Sequence, residues 1–415
     1  MPDKERPIAP TQRVLAIILA GGKGERLYPL TAERSKPAVP FGGKYRIMDF
    51  VLSNFVNSGI HSIYVLVQYM SQSLIEYLRG SWRTVGLTRD QFITVVPPQM
   101  RLGAMWYRGT ADAVRQNLNL IRDFDPDLIA VFGADHIYRM DIGQMIRYHV
   151  DQDADITVAT IPVPVKQASG FGIVEVDTKN RVTGFVEKPP NPKGMPGNPS
   201  HALSSMGNYI FNRDVLVRIL EDETLQDPSF DFGKSILPDI HKKMKVYAYD
   251  FSTNVLPGIK AYEEQGYWRD VGTMKSYFDA HMDILGPRPK LNLNNRKWFI
   301  HSGRFDGPPA KIIDGKLNNV ILGDGCFVRN ATIKNSILGR GVHVHDDAVI
   351  EDSLILDFCK VRAGAKLKKV IVDRFNDIPK EALIGGDAER DAKKYHVDAS
   401  GLVVLPRGRT TTNNR

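Results

Sequence analysis

The first hydrophobic segment of the chain runs from Val14 to Ala20 without a polar interruption. A strand with one face in solvent alternates apolar and polar positions, so this segment predicts a strand that is buried on both faces. Further strand segments alternate with segments of helical period: strands at 62–68, 92–96 and 127–133, and helices at 47–58, 71–79 and from about Thr110. The Thr110 hydroxyl is expected to cap its helix. This order predicts an α/β fold with a Rossmann-like, mostly parallel sheet covered on both faces.

Beyond residue 150 the predicted strands follow one another closely and alternate more regularly. They lie at 154–163, 172–177 and 181–188, and a short turn at 178–180 joins the last two. We interpret these strands as a β-rich lid attached to the sheet. The segment 189–199 is nearly all Pro, Gly or Asn and predicts an irregular exposed loop. The remaining elements are a strand at 204–212, helices at 214–222 and 233–243, and a segment at 267–273 that leads into another helix.

A change of period marks the C-terminal part of the chain. Residues 286–311 are rich in Pro, Asn and Lys, and we interpret them as a linker between an N-terminal domain, 1–285, and a C-terminal domain, 312–415. In the latter, a period of six runs through Ala331, Ile337, His343, Val349, Ile355, Val361 and Leu367, with Leu338, Val344, Ile350 and Leu356 in the next phase, and the inward position is predicted to hold small or apolar residues. This period predicts a parallel β-helix that serves assembly and regulation. His343 and His345 are expected at solvated or corner positions rather than as metal ligands.

Composition and charge narrow the class of protein. The 415 residues are 42% hydrophobic and 25% charged, enough for a large core and two or three domains. The net charge of +8 is spread along the chain, which favours small phosphorylated ligands and no nucleic acid. No apolar run reaches the roughly 18 residues of a membrane span, and the N-terminus has no signal-like segment, so no membrane partner is expected. The two cysteines, Cys326 and Cys359, are predicted to be buried, and they fit a reducing, cytoplasmic location.

A glycine-rich loop follows the first strand. Gly21, Gly22 and Gly24 allow positive φ and let several backbone N–H groups approach an anion. Glycines alone fit a tight connection equally well, but Arg26 and Lys36 add positive charge and favour anion binding. The loop matches neither the Walker A motif nor the G-x-G-x-x-G dinucleotide motif. If it binds a triphosphate, its N–H groups and Arg26 would stabilise the β- and γ-phosphates, and Lys36 would follow the charge that develops.

Two carboxylates are candidate metal ligands. Asp135 follows the strand at 127–133, and ligands of open α/β sheets bind at that edge, near the glycine loop. Asp135 and Asp270 together have the chemistry to hold Mg²⁺, although a lone Asp at a strand end is more often a cap. For a second substrate, Lys188 is a candidate for binding a phosphate and Glu187 for accepting hydrogen bonds from sugar hydroxyls. An ordinary solvated ion pair explains Glu187 and Lys188 as well.

Several motifs together resemble one family. AGGKGERL, SKPAVPFGGKYRIMDF, WYRGTADAV, GADHIY, FVEKP and YWRDVGT occur in this order and are similar to those of the bacterial glucose-1-phosphate adenylyltransferases (ADP-glucose pyrophosphorylases). The resemblance covers nearly the whole chain, including a C-terminal left-handed β-helix. It implies that 1–285 is a nucleotidyltransferase catalytic domain. It also implies formation of ADP-glucose and pyrophosphate from ATP and glucose 1-phosphate with Mg²⁺, the regulated step of bacterial glycogen synthesis.

The resemblance also implies roles for individual residues. Asp135 resembles the catalytic metal-binding aspartate, Asp270 its companion, and Arg26 and Lys36 the triphosphate-binding pair. Positions that resemble the glucose 1-phosphate site are Tyr107, Gly172, Glu187, Lys188 and Ser205. Positions that resemble nucleotide contacts are Gln68, Gln99 and Gly109. Members of the family are homotetramers regulated by glycolytic intermediates between the two domains, which makes Arg34 and Arg46 candidate effector contacts.

One departure from the family and three alternatives remain open. The enteric enzymes carry a lysine for fructose 1,6-bisphosphate where this chain has Glu33, so we expect fructose 6-phosphate or pyruvate as activator. The first alternative is the same chemistry with another nucleotide or sugar, because a change of base alters only pocket hydrogen bonds. The second is an additional acyl transfer on the β-helix, which lacks an evident His-centred acceptor site. The third is a non-catalytic regulatory subunit that binds sugar phosphates.

Overall fold

The computed structural model describes residues 12–82, 90–99, 105–222 and 230–409. The N-terminal residues 1–11, in which no signal-like segment is expected, lie outside this description. Up to residue 282 the strands are β1 (Val14–Ala20), β2 (Pro40–Phe41), β3 (Tyr45–Arg46), β4 (Ser62–Val67), β5 (Phe92–Val96), β6 (Leu128–Gly133), β7 (His136–Tyr138), β8 (Ile156–Pro164), β9 (Gly172–Val176), β10 (Val182–Glu187), β11 (His201–Asn212), β12 (Val246–Asp250) and β13 (Trp268–Asp270). The helices there are α1 (Ile47–Asn57), α2 (Gln72–Ser81), α3 (Thr110–Arg115), α4 (Leu118–Phe124), α5 (Ile142–Asp151), α6 (Arg213–Glu221), α7 (Leu237–Ile240) and α8 (Met274–Met282).

The first strand lies in the middle of a mixed sheet. β1 pairs in parallel with β4 on one side and with β6 on the other, so that Ile17 lies between Tyr64 and Val131. Successive β1 side chains pack into different hydrophobic cores, Ile17 into the core on one face and Ile18 into the core on the other. The predicted strand with two buried faces, and the α/β fold built around it, are confirmed.

Strand β11 connects the two halves of this sheet. One side of β11 pairs with β8, and the other side pairs first with β9 and then with β6, in each case antiparallel. The β9–β10 hairpin therefore extends the central sheet itself, where we had interpreted these strands as a β-rich lid attached to the sheet. The register of β11 against β8 shifts between Ser205 and Tyr209, where Gly207 has a φ of +68°. In this bulge the Asn208 side chain accepts a hydrogen bond from the Gly133 N–H at the end of β6 (3.2 Å).

Three local predictions need correction. Gly109, not Thr110, is the N-cap of α3, and the Thr110 hydroxyl donates to Asp231 Oδ2 instead (2.9 Å). The helix predicted at 233–243 is a π-helical turn, Phe232–Ile236, followed by the short α7. Strand β12 was not predicted, because its tyrosines blur the alternation, yet it pairs in parallel with β8.

The C-terminal strands stack in parallel coils. They are β14 (Lys311–Ile313), β15 (Lys316–Leu322), β16 (Phe327–Arg329), β17 (Thr332–Leu338), β18 (His343–Val344), β19 (Val349–Glu351), β20 (Leu354–Ile355), β21 (Lys360–Val361), β22 (Lys366–Lys368), β23 (Val370–Val372), β24 (Asp377–Ile378), β25 (Leu383–Ile384), β26 (His396–Val397) and β27 (Val403–Leu405), with helix α9 at Ala388–Ala392. All pairs are parallel except β26 with β27. The predicted parallel β-helix is confirmed.

The six-residue period does not hold along these coils. Val328 pairs with Val344, and Val344 pairs with Val361, so successive coils differ in length. A strict period of six around a three-sided coil would pair Val344 with Arg362 instead. The inward position consequently slips: Val344 is buried, whereas His343 is exposed, in agreement with the solvated or corner position expected for it.

An apolar core joins the coils to the N-terminal part. Phe41 and Tyr277 belong to the same buried cluster as Ile337, Leu354 and Ile371 of the coils. Cys326 and Cys359 lie inside the coils and are 1% and 0% exposed, which confirms the prediction that both are buried. No helix in the described part of the chain is long and apolar enough to cross a membrane.

Candidate active site

A cavity of about 1020 Å³ opens where β1, β4 and β6 end. Its wall includes most of the residues singled out from the sequence: Gly21, Gly22, Gly24, Arg26, Lys36, Gln68, Tyr107, Gly109, Asp135, Gly172, Glu187, Ser205 and Asp270. They come from elements that are far apart along the chain and meet because the carboxyl ends of parallel strands share one edge of the sheet.

Lys36 connects the two candidate metal ligands. Its Nζ donates to Asp135 Oδ2 (2.9 Å) and to Asp270 Oδ1 (3.2 Å), and its side chain is only 8% exposed. Burial alone would lower the pKa of Lys36, but the two carboxylates outweigh it and raise the pKa above its ordinary value. Burial would likewise raise the pKa of Asp135, but Lys36 and His136 outweigh it and hold that pKa well below its usual range. Both partners are therefore charged at neutral pH.

The local backbone fixes where this lysine side chain starts. Lys36 opens the 3₁₀ turn Lys36–Ala38, and Gly24 of the glycine loop packs directly against it. Gly24 has a φ of +66°, and a Cβ at this position would lie 2.9 Å from Lys36 Cβ. Only glycine combines this conformation with this close approach.

Strand pairing brings a third possible ligand to the carboxylates. In the β7–β13 ribbon His136 lies opposite Asp270, and Asp135 directly precedes His136. One donor atom each from Asp135, His136 and Asp270 lie within 4.8 Å of one another. Two carboxylates on the wall of this cavity are a donor set that suits a hard divalent cation, so these residues fit such an ion.

The opposite wall of the cavity comes from the β9–β11 region. Gly172 lies across from Glu187 in the hairpin, and a Cβ on Gly172 would lie 2.9 Å from Glu187 Oε2. Ser205 precedes the bulge of β11, and its hydroxyl accepts a hydrogen bond from the Gly207 N–H (3.2 Å). The carboxylate and the hydroxyl thus lie on one side of the cavity, where they offer hydrogen-bond partners to a polyhydroxylated ligand.

Two of the predicted contacts lie outside the wall. Among the described residues, the cavity lining does not include Gln99 or Lys188. The exposed Gln99 donates its amide to Pro97 O (2.9 Å), and the next residues, 100–104, lie outside the description. Lys188 follows β10 with a φ of +49°, and its 57% exposed ammonium is 3.5 Å from Glu187 Oε1. Gln68 and Tyr107, in contrast, are joined on the wall by a hydrogen bond from Gln68 Nε2 to Tyr107 O (3.3 Å).

Sequence reasoning missed three further residues of the wall: Asp231, Tyr209 and Trp268. Asp231 caps the π-helical turn by accepting from the Gly233 N–H (2.9 Å), and an Asp before Phe-Gly-Lys was the available signal. The Trp268 indole packs against His136, with ring centroids 4.9 Å apart. Its buried Nε1–H has no partner within the described residues, which leaves this donor for a ligand.

Arg34 and Arg46 lie away from the cavity, where the N-terminal part meets the coils. Arg34 forms a buried ion pair with Asp373, and Arg46 Nη2 is 3.5 Å from Asp357 Oδ2. Arg374, which was not predicted, completes this junction cluster, defined as these three arginines and two aspartates. Burial, together with Arg46 and Arg34, lowers the pKa of Arg374 to about 9, so positive charge exceeds negative charge here.

Comparisons with known proteins cover nearly the whole chain. Residues 15–286 match the nucleotidyl transferase family model, and residues 308–405 match the model of the GlmU-like C-terminal hexapeptide. A glucose-1-phosphate adenylyltransferase of Thermodesulfovibrio yellowstonii is 53% identical over 95% of this chain and 96% of its own length. Proteins of the same name from Photobacterium profundum and an Anaeromyxobacter species are 47% and 46% identical, each over 95% of this chain and 98% of the relative.

Proposed function

The chain belongs to the glucose-1-phosphate adenylyltransferase family, and from this membership we propose that it converts ATP and glucose 1-phosphate into ADP-glucose and pyrophosphate. One observation supports the reaction most directly: the glycine loop faces a cavity in which Lys36 joins Asp135 and Asp270. A carboxylate and a hydroxyl on its other wall support the proposal that a sugar binds beside the nucleotide. We place the reaction in bacterial glycogen synthesis, as its regulated step.

Direct displacement at the α-phosphorus is the chemistry that this arrangement favours. A phosphate oxygen of glucose 1-phosphate forms the new P–O bond, and the bond to the β-phosphate oxygen breaks to release pyrophosphate. We assign the N–H groups of residues 21–24 and the Arg26 guanidinium to the β- and γ-phosphates. Lys36 then stabilises the negative charge that develops as pyrophosphate leaves. Holding both substrates in line supplies the remaining rate enhancement.

A divalent cation fits the two aspartates. Members of the nucleotidyl transferase family generally use a divalent metal, and we propose Mg²⁺, held by Asp135 and Asp270. When bound, this ion neutralises and orients the α-phosphate oxygens. The carboxylates' own contribution is negative charge on the cavity wall that the glycine loop also lines.

Glucose 1-phosphate is assigned to the wall formed by β9, β10 and β11. We propose that Glu187 and Ser205 hydrogen-bond the sugar hydroxyls and that Gly172 keeps the space beside Glu187 free. We assign Tyr107 to glucose 1-phosphate as well, and Gln68 and Gly109 on the same wall to the nucleotide. Lys188 remains our candidate for the sugar phosphate, although its exposed ammonium lies outside the cavity wall.

Regulation and assembly are proposed from the second half of the chain. The junction cluster has three arginines and two aspartates, so an anionic effector such as fructose 6-phosphate or pyruvate would relieve its excess positive charge. Glu33 Oε2 forms an ion pair with Arg407 Nη1 (2.9 Å). We retain the expectation that fructose 1,6-bisphosphate is not the main activator. We further propose a homotetramer, a catalytic domain at 1–285 linked through 286–311 to the β-helix at 312–415, and a cytoplasmic location.

The test of this function is pyrophosphate release by the purified protein. Glucose 1-phosphate and Mg²⁺ are combined with ATP, UTP, dTTP, GTP or CTP, each with and without fructose 6-phosphate or pyruvate. We expect strong preference for ATP and stimulation by an effector. Asp135→Ala should abolish turnover and retain binding of glucose 1-phosphate, whereas Asp346→Asn, a change at an exposed ion pair of the coils, should leave turnover intact. Preference for another nucleotide would contradict the substrate assignment, and inactivity with every nucleotide would favour a regulatory subunit.

A further inference from the structure

The position between the two metal-binding carboxylates is already occupied by a positive charge of the protein. Lys36 Nζ is 2.9 Å from Asp135 Oδ2 and 3.2 Å from Asp270 Oδ1, which are hydrogen-bonding distances. Its side chain is 8% exposed, whereas the Asp135 side chain is 40% exposed and that of Asp270 is 26% exposed. The ammonium therefore serves as the counter-ion of both carboxylates in the protein without ligands.

A divalent cation bound to the same two oxygens would compete with this ammonium. Mg²⁺ binds carboxylate oxygens at about 2.1 Å, so an ion on Asp135 Oδ2 would lie within about 5 Å of Lys36 Nζ. Three positive charges would then face two partly exposed carboxylates on the cavity wall. Like charges at this separation repel strongly when the surroundings are less polar than water.

A triphosphate on the glycine loop removes this conflict. Its oxygens provide new acceptors for an ammonium and bring enough negative charge to balance both the ion and the lysine. Only the end of the Lys36 side chain has to move, because its Cβ is held against Gly24 at the start of the 3₁₀ turn. The four-carbon stem of lysine permits such a swing of the ammonium.

We propose that Lys36 is a placeholder for the metal: it blocks the bridge between Asp135 and Asp270 until the nucleotide arrives, and then turns to the phosphates. The inference rests on the proposed function, because it uses the proposed metal site. It adds an order of events to that function. The free protein binds divalent cations poorly, and the cation enters together with the triphosphate.

Binding of Mn²⁺ to the nucleotide-free protein, followed by electron paramagnetic resonance, tests the placeholder directly. Mn²⁺ replaces Mg²⁺ as a detectable hard cation. Lys36→Met should raise the affinity for Mn²⁺ at least about tenfold, because the competing charge is gone. Lys36→Arg, which keeps a cation, should stay within about threefold of the wild type. Arg26→Met removes another cation from the cavity wall and should change the affinity less than about threefold if direct contact is what matters.

The results of the Mn²⁺ experiment either support or overturn the placeholder role of Lys36. A large gain for Lys36→Met alone supports the proposal, whereas unchanged or weaker Mn²⁺ binding by this variant overturns it. Stoichiometric Mn²⁺ binding by the nucleotide-free wild type that Asp270→Asn abolishes would also overturn it, even if Lys36→Met does not fold. The assay contains no substrate, so a protein that shows the Mn²⁺ effect but releases no pyrophosphate would retain the placeholder and lose the proposed reaction.

Discussion

One added methyl group at Gly24 tests how the glycine loop holds Lys36. Gly24 has a φ of +66°, and a Cβ there would lie 2.9 Å from Lys36 Cβ and 3.2 Å from Thr31 Cγ2. The left-handed conformation costs about 1–2 kcal/mol for a residue with a side chain, and overpacking adds about 1–3 kcal/mol. We therefore expect Gly24→Ala to lower the free energy of unfolding by about 2–5 kcal/mol.

The same variant should lose activity through Lys36. Relief of the 2.9 Å contact requires the lysine backbone to shift, and a displacement of about 1 Å at a reacting site costs on the order of 100-fold in rate. Because Lys36 is assigned to charge that develops during the reaction, kcat should fall more than the KM for ATP rises. Pyrophosphate release at saturating substrates measures kcat, and urea unfolding followed by circular dichroism measures stability.

Gly22→Ala is the matched control on the same loop. No atom lies within 4 Å of a Cβ at Gly22, and its φ lies outside the left-handed region. Its stability should stay within about 0.5 kcal/mol of the wild type. The methyl group would face the open cavity, so its effect should appear in the KM for ATP. If Gly24→Ala matched the wild type in both stability and kcat, the reasoning about this contact would be refuted.

Three further changes test other parts of the structure. Asp373→Asn removes half of a buried ion pair and should cost about 3–5 kcal/mol in urea unfolding, whereas Asp346→Asn at an exposed pair should cost less than about 1 kcal/mol; equal losses would contradict this. Gly172→Ala should raise the KM for glucose 1-phosphate at least about tenfold, because the methyl group crowds Glu187 Oε2, and an unchanged KM would count against the sugar assignment. Burial raises the pKa of Asp49 from 3.8 to about 6, so the folded protein binds this proton more tightly than the unfolded chain does. The associated stability is present below about pH 4 and is lost as pH rises through 6, by about 3 kcal/mol; Asp49→Asn should flatten this decline in urea unfolding, and equal slopes would refute the assignment.

The sequence predicted those features that depend on local pattern. Val14 to Ala20 forms the central strand because an uninterrupted apolar run needs partners on both faces. Asp135 lies on the cavity wall because a residue directly after a parallel strand lies at the ligand-binding edge. The pairing of Asp135 with Asp270 came from the family resemblance and not from local pattern, since their meeting depends on the pairing of β7 with β13, two short strands whose register no local pattern specifies.

Two errors have a common physical origin, because the period within a strand does not specify its neighbours. Strand β11 has the expected apolar pattern, but that pattern does not specify that β9 and β6 both pair with the same edge of β11. The coil length was misjudged because residues at the corners interrupt the six-residue count. A better signal was available: Asn330, Asp347 and Gly364 have positive φ at corners of successive coils, and they are evenly spaced along the chain. Gly, Asn and Asp tolerate this conformation better than most residues do, so their spacing indicates coil length better than a strict count of six does.

The two thiols lie inside the β-helix, so their reactivity reports when its coils open. Cys326 and Cys359 are the only cysteines of the chain, and both are enclosed by the coils. An alkylating reagent reaches them only when the coils separate, and the cavity wall contains neither of them. The rate of alkylation therefore measures the opening of the C-terminal part alone, without any introduced label. Comparing the alkylation rate with and without sugar phosphates would reveal whether a ligand bound to the N-terminal part reduces opening of the coils.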